Sequence, residues 1–105
     1  NWEEKKITSR VKNTLKQIAG RNPGKRVYVV SPVYCNNDFY GKKHANKWRT
    51  YIKNIADELN YSNVTVINGL DILGKMCFLS ADEIHPSIEG MMLIADNMYK
   101  RICGK

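Results

Sequence analysis

Asp82 and His85 lie three residues apart in a short polar stretch that reads Ala81-Asp82-Glu83-Ile84-His85-Pro86-Ser87-Ile88-Glu89-Gly90. A carboxylate and an imidazole are side chains that move protons near neutral pH. On one fixed loop, the carboxylate can accept a hydrogen bond from one ring nitrogen. That sets the tautomer and leaves the other nitrogen free to take a proton from a nucleophile. The residues after the pair must hold it in place. Ser87 can cap a helix that starts just after Pro86. Ile88, Met91, Met92, Ala95, Met98 and Ile102 then recur three and four apart. This spacing predicts an amphipathic helix with that stripe turned toward a core. The same residues also have a purely structural use, as a helix cap preceded by a surface histidine.

The longer pattern is Asp-x-x-His-Pro-Ser-x-x-Gly, preceded by a βαβ-like stretch and followed by a C-terminal helix. It resembles the last conserved block of the SGNH/GDSL hydrolases, which are serine esterases and acylhydrolases. The resemblance implies an α/β, three-layer, flavodoxin-like fold, present here as its C-terminal half. It implies that Asp82 is the orienting acid and His85 the general base of a Ser-His-Asp triad acting on an acyl ester. Carbohydrate esters, lipids and thioesters are all substrates within that family, and no metal or organic cofactor is implied. The family also uses a nucleophilic Ser in a Gly-Asp-Ser block, and oxyanion donors from a Gly and a Gly-x-Asn-Asp block. Only the final block is clear in this chain. Cys35-Asn36-Asn37-Asp38 carries Cys where the third block has Gly, and Asn68-Gly69-Leu70-Asp71 has no Ser. Of Ser9, Ser31, Ser62, Ser80 and Ser87, only Ser31 falls near the expected edge of a site. It lacks the strand-turn-helix setting of an exposed nucleophile. The chain alone is therefore expected to be inactive, contributing Asp and His to an ester hydrolase whose other blocks lie elsewhere.

The elements that must position the pair read in the order α-β-α-β-loop-α, as a single unit over residues 1–105. Residues 2–19 carry Ile7, Val11, Leu15, Ile18 and Ala19 on one helical face, with Asn1 and Glu4 spaced as a capping box. Residues 26–30 form a short β-branched run, apolar on both faces, which suits a buried parallel strand. The loop over residues 33–44 comes after the end of that strand, where open α/β sheets place ligand sites. Tyr34, Phe39 and Tyr40 are its candidates for a substrate wall, or else cover the edge of the core. His44 reads as a surface residue. Residues 45–60 make a second helix with Trp48, Tyr51, Ile52, Ile55, Ala56 and Leu59 inward. Residues 64–67 make a second strand; Leu70-Asp71-Ile72-Leu73 and then an irregular segment to Leu79 lead into the Asp82 loop.

The 105 residues carry 17 Lys or Arg, 10 Asp or Glu and a formal charge of +7. The charge is uneven: residues 1–60 hold 13 cationic side chains against 5 anionic, and residues 61–105 hold 4 against 5. This imbalance suggests an alternative function, a non-catalytic α/β interaction module whose basic N-terminal half binds an anionic partner. The lysines fall between the apolar positions of helices and no nucleic-acid motif accompanies them, so a solvated helix face is the simpler reading. Cys35, Cys77 and Cys103 are few and widely spaced, which fits buried or semi-buried thiols better than a disulfide framework or a zinc site. No apolar run reaches the length of a membrane span. No signal peptide is recognisable, and the first residues already sit inside a helical pattern, so the chain reads as cut from a longer one and the compartment stays open. Two strands do not make a stable sheet alone. The first strand is expected to offer a free apolar edge, either to the rest of the domain or to a second copy.

Overall fold

The computed structural model describes residues 2–104. Asn1, expected to cap the first helix, lies outside them. Helix α1 spans Trp2–Ile18, strand β1 Val27–Val30, a short helix α2 Asn36–Phe39, helix α3 His44–Leu59 and strand β2 Val64–Ile67. A one-turn helix α4 at Gly69–Ile72, a 3-10 turn at Met76–Phe78 and helix α5 at Ile88–Cys103 complete the chain. The two strands pair in parallel, with Val27 opposite Val64 and Val30 opposite Ile67. Parallel strands cannot be joined by a tight turn, and α3 supplies the crossover. Asn60 ends α3 in the left-handed conformation, φ 51°, which Asn tolerates better than most residues.

Helices α1 and α3 run side by side in the same direction. The Tyr51 hydroxyl donates to Glu4 at 3.1 Å, and Lys12 Nζ meets Glu58 at 2.5 Å seven residues further along α3. The buried apolar residues are Leu15, Ala19, Ala45, Ile55, Ile67, Ile72 and Leu73. The inward face of α3 is the expected one, with Ile55 buried and Trp48, Tyr51, Ile52, Ala56 and Leu59 half-buried. On α1 Leu15 is buried, as is Ala19 just after it, but Ile7 and Ile18 stay at the surface. No helix of the described residues is long and apolar enough to cross a membrane.

Two polar side chains inside this core organise the connections. Asn63 Nδ2 donates to the carbonyls of Ala19, Asn22 and Lys25 at 3.1, 3.0 and 2.9 Å, and the Asn63 carbonyl accepts from Val27 N–H at 2.8 Å. One residue thus gathers the turn after α1 and starts both strands. Arg49, only 6% exposed, donates to the carbonyls of Pro32 and Val33 at 2.7 and 2.9 Å. It also forks onto both Asp38 oxygens at 2.7 and 2.8 Å. These Arg49 hydrogen bonds hold the Asp38 carboxyl below its ordinary range, against the opposing effect of burial. The chain leaving β1 is therefore clamped to α3 from Pro32 to Asp38.

Helix α5 corrects one expectation. Its apolar stripe faces outward: Ile88 is 79% exposed and Met92 68%, while Met91, Ala95 and Ile102 are also at the surface and only Met98 is half-buried. The face against the chain is Gly90, Leu93, Ile94 and Asn97. Two backbone contacts set this rotation. Gly90 passes so close to the Phe78 carbonyl that a Cβ would stand 2.2 Å from its oxygen. Asn97 Nδ2 donates to the Ile72 carbonyl at 2.9 Å. These two residues, about two helical turns apart, share one face, and Ile88 and Met92 point the opposite way. A second correction concerns the thiols. Cys35 is half-buried as expected, but Cys77 and Cys103 are exposed, because the 3-10 turn and the end of α5 present them to solvent.

Replacing Asn63 by Leu leaves three carbonyls without their shared donor, and is expected to lower stability by about 1–3 kcal/mol in denaturant unfolding. Replacing Arg49 by Leu leaves the half-buried Asp38 carboxylate without its cation, with an expected loss of about 3–5 kcal/mol. Because the folded Asp38 value is depressed, its contribution is present above the ordinary carboxylate range and disappears as pH falls through the lower folded value. The Arg49→Leu variant should therefore lose less stability on acidification than the wild type, measured as unfolding free energy against pH.

Candidate active site

The loop that carries Asp82 and His85 is closed at its base and braced at its tip. Leu79 and Pro86 form an isolated antiparallel bridge. Ser80 N–H donates to the His85 carbonyl at 2.7 Å, and Ser87 N–H to the Phe78 carbonyl at 2.8 Å. Ser87 caps α5 as the sequence implied: its hydroxyl accepts from Gly90 N–H at 3.1 Å and donates to the Phe78 carbonyl at 3.0 Å. The Ser-x-x-Gly spacing thus has a local cause. Ser87 satisfies the first turn of the helix, and Gly90 lets that turn rest on the backbone at Phe78.

Within the loop, His85 Nδ1 is 2.5 Å from Asp82 Oδ2. The other Asp82 oxygen accepts from the N–H groups of Ile84 and His85, each at 2.9 Å, and lies 2.9 Å from the Ser80 hydroxyl. The hydrogen bond from His85, then those from the backbone and Ser80, hold the Asp82 carboxyl far below the usual carboxylate range. Asp82 is therefore an anion, and it is the acceptor in the pair. With Nδ1 bound to it, Nε2 is the ring nitrogen left to exchange a proton. The His85 side chain is 78% exposed, so that nitrogen is open to approach.

Glu83, between the two, has φ 60°. A non-glycine residue in this left-handed region costs roughly 1–2 kcal/mol, and its surroundings hold it there. Its N–H donates to the Ser80 carbonyl at 3.0 Å, and its carbonyl accepts from Asn36 N–H at 2.9 Å. The Tyr40 hydroxyl donates to its carboxylate at 3.1 Å. The segment after β1 is thus brought against the loop that carries the pair, a proximity that 43 residues of separation hide in the sequence. Tyr34 lies on the same segment with its N–H bonded to the Leu73 carbonyl at 2.8 Å. Phe39 and Tyr40 are exposed and meet edge to face, ring centroids 5.0 Å apart.

Three of the serines take structural positions, and Ser9 and Ser62 are exposed. Ser31 is buried and its hydroxyl accepts from Gly69 N–H at 2.9 Å, where a Cβ on Gly69 would stand 2.2 Å from the Ser31 carbonyl oxygen. Ser80 is bound to Asp82 and Ser87 caps α5. Among the described residues no serine hydroxyl is hydrogen-bonded to His85 Nε2. In residues 35–38, Asp38 is committed to Arg49, and Asn37 Nδ2 donates to Asn36 Oδ1 at 3.1 Å. His44 is a surface residue at the start of α3. The roles of Arg49, Asn36 and Glu83 were not legible in the sequence. A lone arginine among apolar helix positions, between Trp48 and Ile52, was the one available sign.

No family model and no curated protein matches the chain by sequence. In three dimensions it is similar to a salicylyl-acyltransferase, SsfX3, from a tetracycline biosynthetic pathway, with a TM-score of 0.71 and 18% identity over 92% of this chain and 31% of that one. It is also similar to a mutant of Axe2, an acetyl-xylooligosaccharide esterase from Geobacillus stearmophilus, with a TM-score of 0.58 and 21% identity over 87% of this chain and 45% of that one. The chain spans less than half the length of either structure. What these likenesses share with the parallel βαβ core and terminal helix is architecture: the chain has, in part, the α/β fold of SGNH-type hydrolases.

Proposed function

We propose that this chain carries the acid–base half of a serine ester hydrolase or acyltransferase site of the SGNH type, with Asp82 and His85 in the roles of orienting acid and general base. The observation that carries the reading is the 2.5 Å contact between His85 Nδ1 and an Asp82 carboxylate saturated with donors, with the opposite ring nitrogen exposed. The matched enzymes act on acyl groups, as their names state, and support an acyl ester as the substrate class. Tyr40 reaches this loop through Glu83, and with Phe39 and Tyr34 on the same segment it makes the proposed wall for the substrate.

In the proposed reaction, His85 Nε2 takes the proton of a serine hydroxyl as its oxygen bonds to the ester carbonyl carbon. Asp82 remains ionised and stabilises the imidazolium. Donors outside this chain bind the negative oxygen of the tetrahedral intermediate. The intermediate collapses with cleavage of the ester C–O bond, and the leaving alcohol takes the proton back from Nε2. Water, or an acceptor alcohol in the transferase case, then repeats the sequence on the acyl-serine. The serine and the oxyanion donors belong to a further part of the domain. The outward apolar stripe of α5 and the edge of β1 that pairs with no other described strand support such a complement, since a larger domain would cover the first and pair with the second.

The deciding experiment measures hydrolysis of p-nitrophenyl acetate and fluorophosphonate labelling by intact mass, on this chain and on a longer protein that contains it. This chain should be silent, and the longer protein should label at a serine outside residues 1–105. In that protein His85→Ala or Asp82→Asn should each lower kcat by on the order of 10³–10⁴-fold. Turnover and labelling by this chain alone would overturn the placement of the nucleophile, and full activity in His85→Ala would remove the dyad. A carboxyl titration followed by NMR supplies an independent check. Asp82 should titrate well below the value of about 3.9 of a free Asp, and His85→Ala should raise its midpoint. Stability due to Asp82 should persist down to the ordinary carboxylate range and fall away only below it.

A further inference from the structure

We propose that Tyr40 and Glu83 form a latch that positions His85, a role that rests on the reading of Asp82 and His85 as the acid–base pair. The Tyr40 hydroxyl lies 3.1 and 3.4 Å from the two Glu83 carboxylate oxygens. The hydrogen bond to Glu83 and its charge hold the phenol above its ordinary value, so it keeps the proton it donates. Glu83 has a left-handed backbone that an unrestrained non-glycine residue would leave. Its dihedrals set the direction of the chain between Asp82 and the next two residues. Those two residues, Ile84 and His85, send their N–H groups back to Asp82 Oδ1. A relaxed Glu83 would swing both groups away and release the ring from its contact with Oδ2.

The other end of the latch is fixed by a different part of the fold. Tyr40 N–H donates to the Asn36 carbonyl at 3.0 Å, and Asn36 N–H in turn holds the Glu83 carbonyl. The segment that carries both is the one bound through Asp38 to buried Arg49. An exposed, strained loop is thereby tied, through one phenol and one backbone amide, to the segment that Arg49 holds against α3. Glu83 and the Tyr40 hydroxyl are positioning groups in this scheme, acting through His85, while the Tyr40 ring keeps its place in the proposed substrate wall.

Amide hydrogen exchange followed by NMR on the whole chain tests the latch without turnover. Tyr40→Phe and Glu83→Ala should each speed exchange at Ile84 and His85 by about fivefold, while amides of β1 and β2 stay within about twofold. Glu83→Gln keeps an acceptor for the phenol and should stay close to wild type. The double variant Tyr40→Phe/Glu83→Ala should exchange no faster than either single one, because both remove the same contact. In the longer protein, Glu83→Ala, which lies outside the proposed substrate wall, should lower kcat about fivefold with KM unchanged. Unchanged exchange at residues 84 and 85 in both single variants would overturn the latch. Equal acceleration in β1 and β2 would overturn it too, by reducing the pair to general stability. These outcomes are separate from the labelling experiment: a dyad that fails there fails as a catalyst, whatever exchange shows at residues 84 and 85.

Discussion

Arg49 is the buried cation among the described residues, and the order of the site runs back to it. A guanidinium has five donors in a rigid fork and no way to lose its charge, so burial forces it to find acceptors. Here it finds a carboxylate and two backbone carbonyls, all on the segment that leaves β1. That segment would otherwise be a solvated loop. Instead its backbone is fixed closely enough for Asn36 and Tyr40 to reach the Asp82 loop. A salt bridge of this kind adds little net stability compared with apolar residues in place of both partners. Its value lies in geometry, because it makes one conformation of the loop the only one that leaves no charge unpaired.

The Asp82 carboxylate shows the same logic at the surface. It is substantially exposed, yet four donors converge on it, and all belong to Ser80, Ile84 and His85 close by in the chain. Exposure alone would leave a carboxylate free to rotate and exchange partners with water. Closure of the loop by the Leu79 and Pro86 bridge, and the left-handed turn at Glu83, remove that freedom. The imidazole then has one orientation in which Nδ1 is satisfied and Nε2 is presented outward. The chemistry proposed for His85 depends on that preorganisation.

Apolar surface is distributed in a way that fits a part of a larger α/β sheet. The interior is modest, centred on Ile67, Ile72 and Leu73, and the stripe on α5 is turned away from it. Gly90 and Asn97 decide this by docking to backbone at Phe78 and Ile72, so the helix is seated by polar and steric contacts while its largest side chains face out. Such a surface on a sheet of two strands is consistent with the coverage of the two structural neighbours, of which this chain matches less than half.

Local rules were enough for much of this. Periodicity located α1, α3 and α5, and short β-branched runs between turn residues located both strands, since each element is defined by residues close together in the chain. The spacing of Asp82, His85, Ser87 and Gly90 located the candidate site for the same reason: the contacts within that block are short in sequence. The rotation of α5 was not legible, because an apolar stripe says which face is greasy, and Gly90 and Asn97 choose which face is docked. Nor was the pairing of Arg49 with Asp38, of Asn63 with three carbonyls, or of Tyr40 with Glu83. Those depend on which backbone ends the parallel crossover brings together, and a side chain with many possible partners acquires one only when the tertiary fold has excluded the rest.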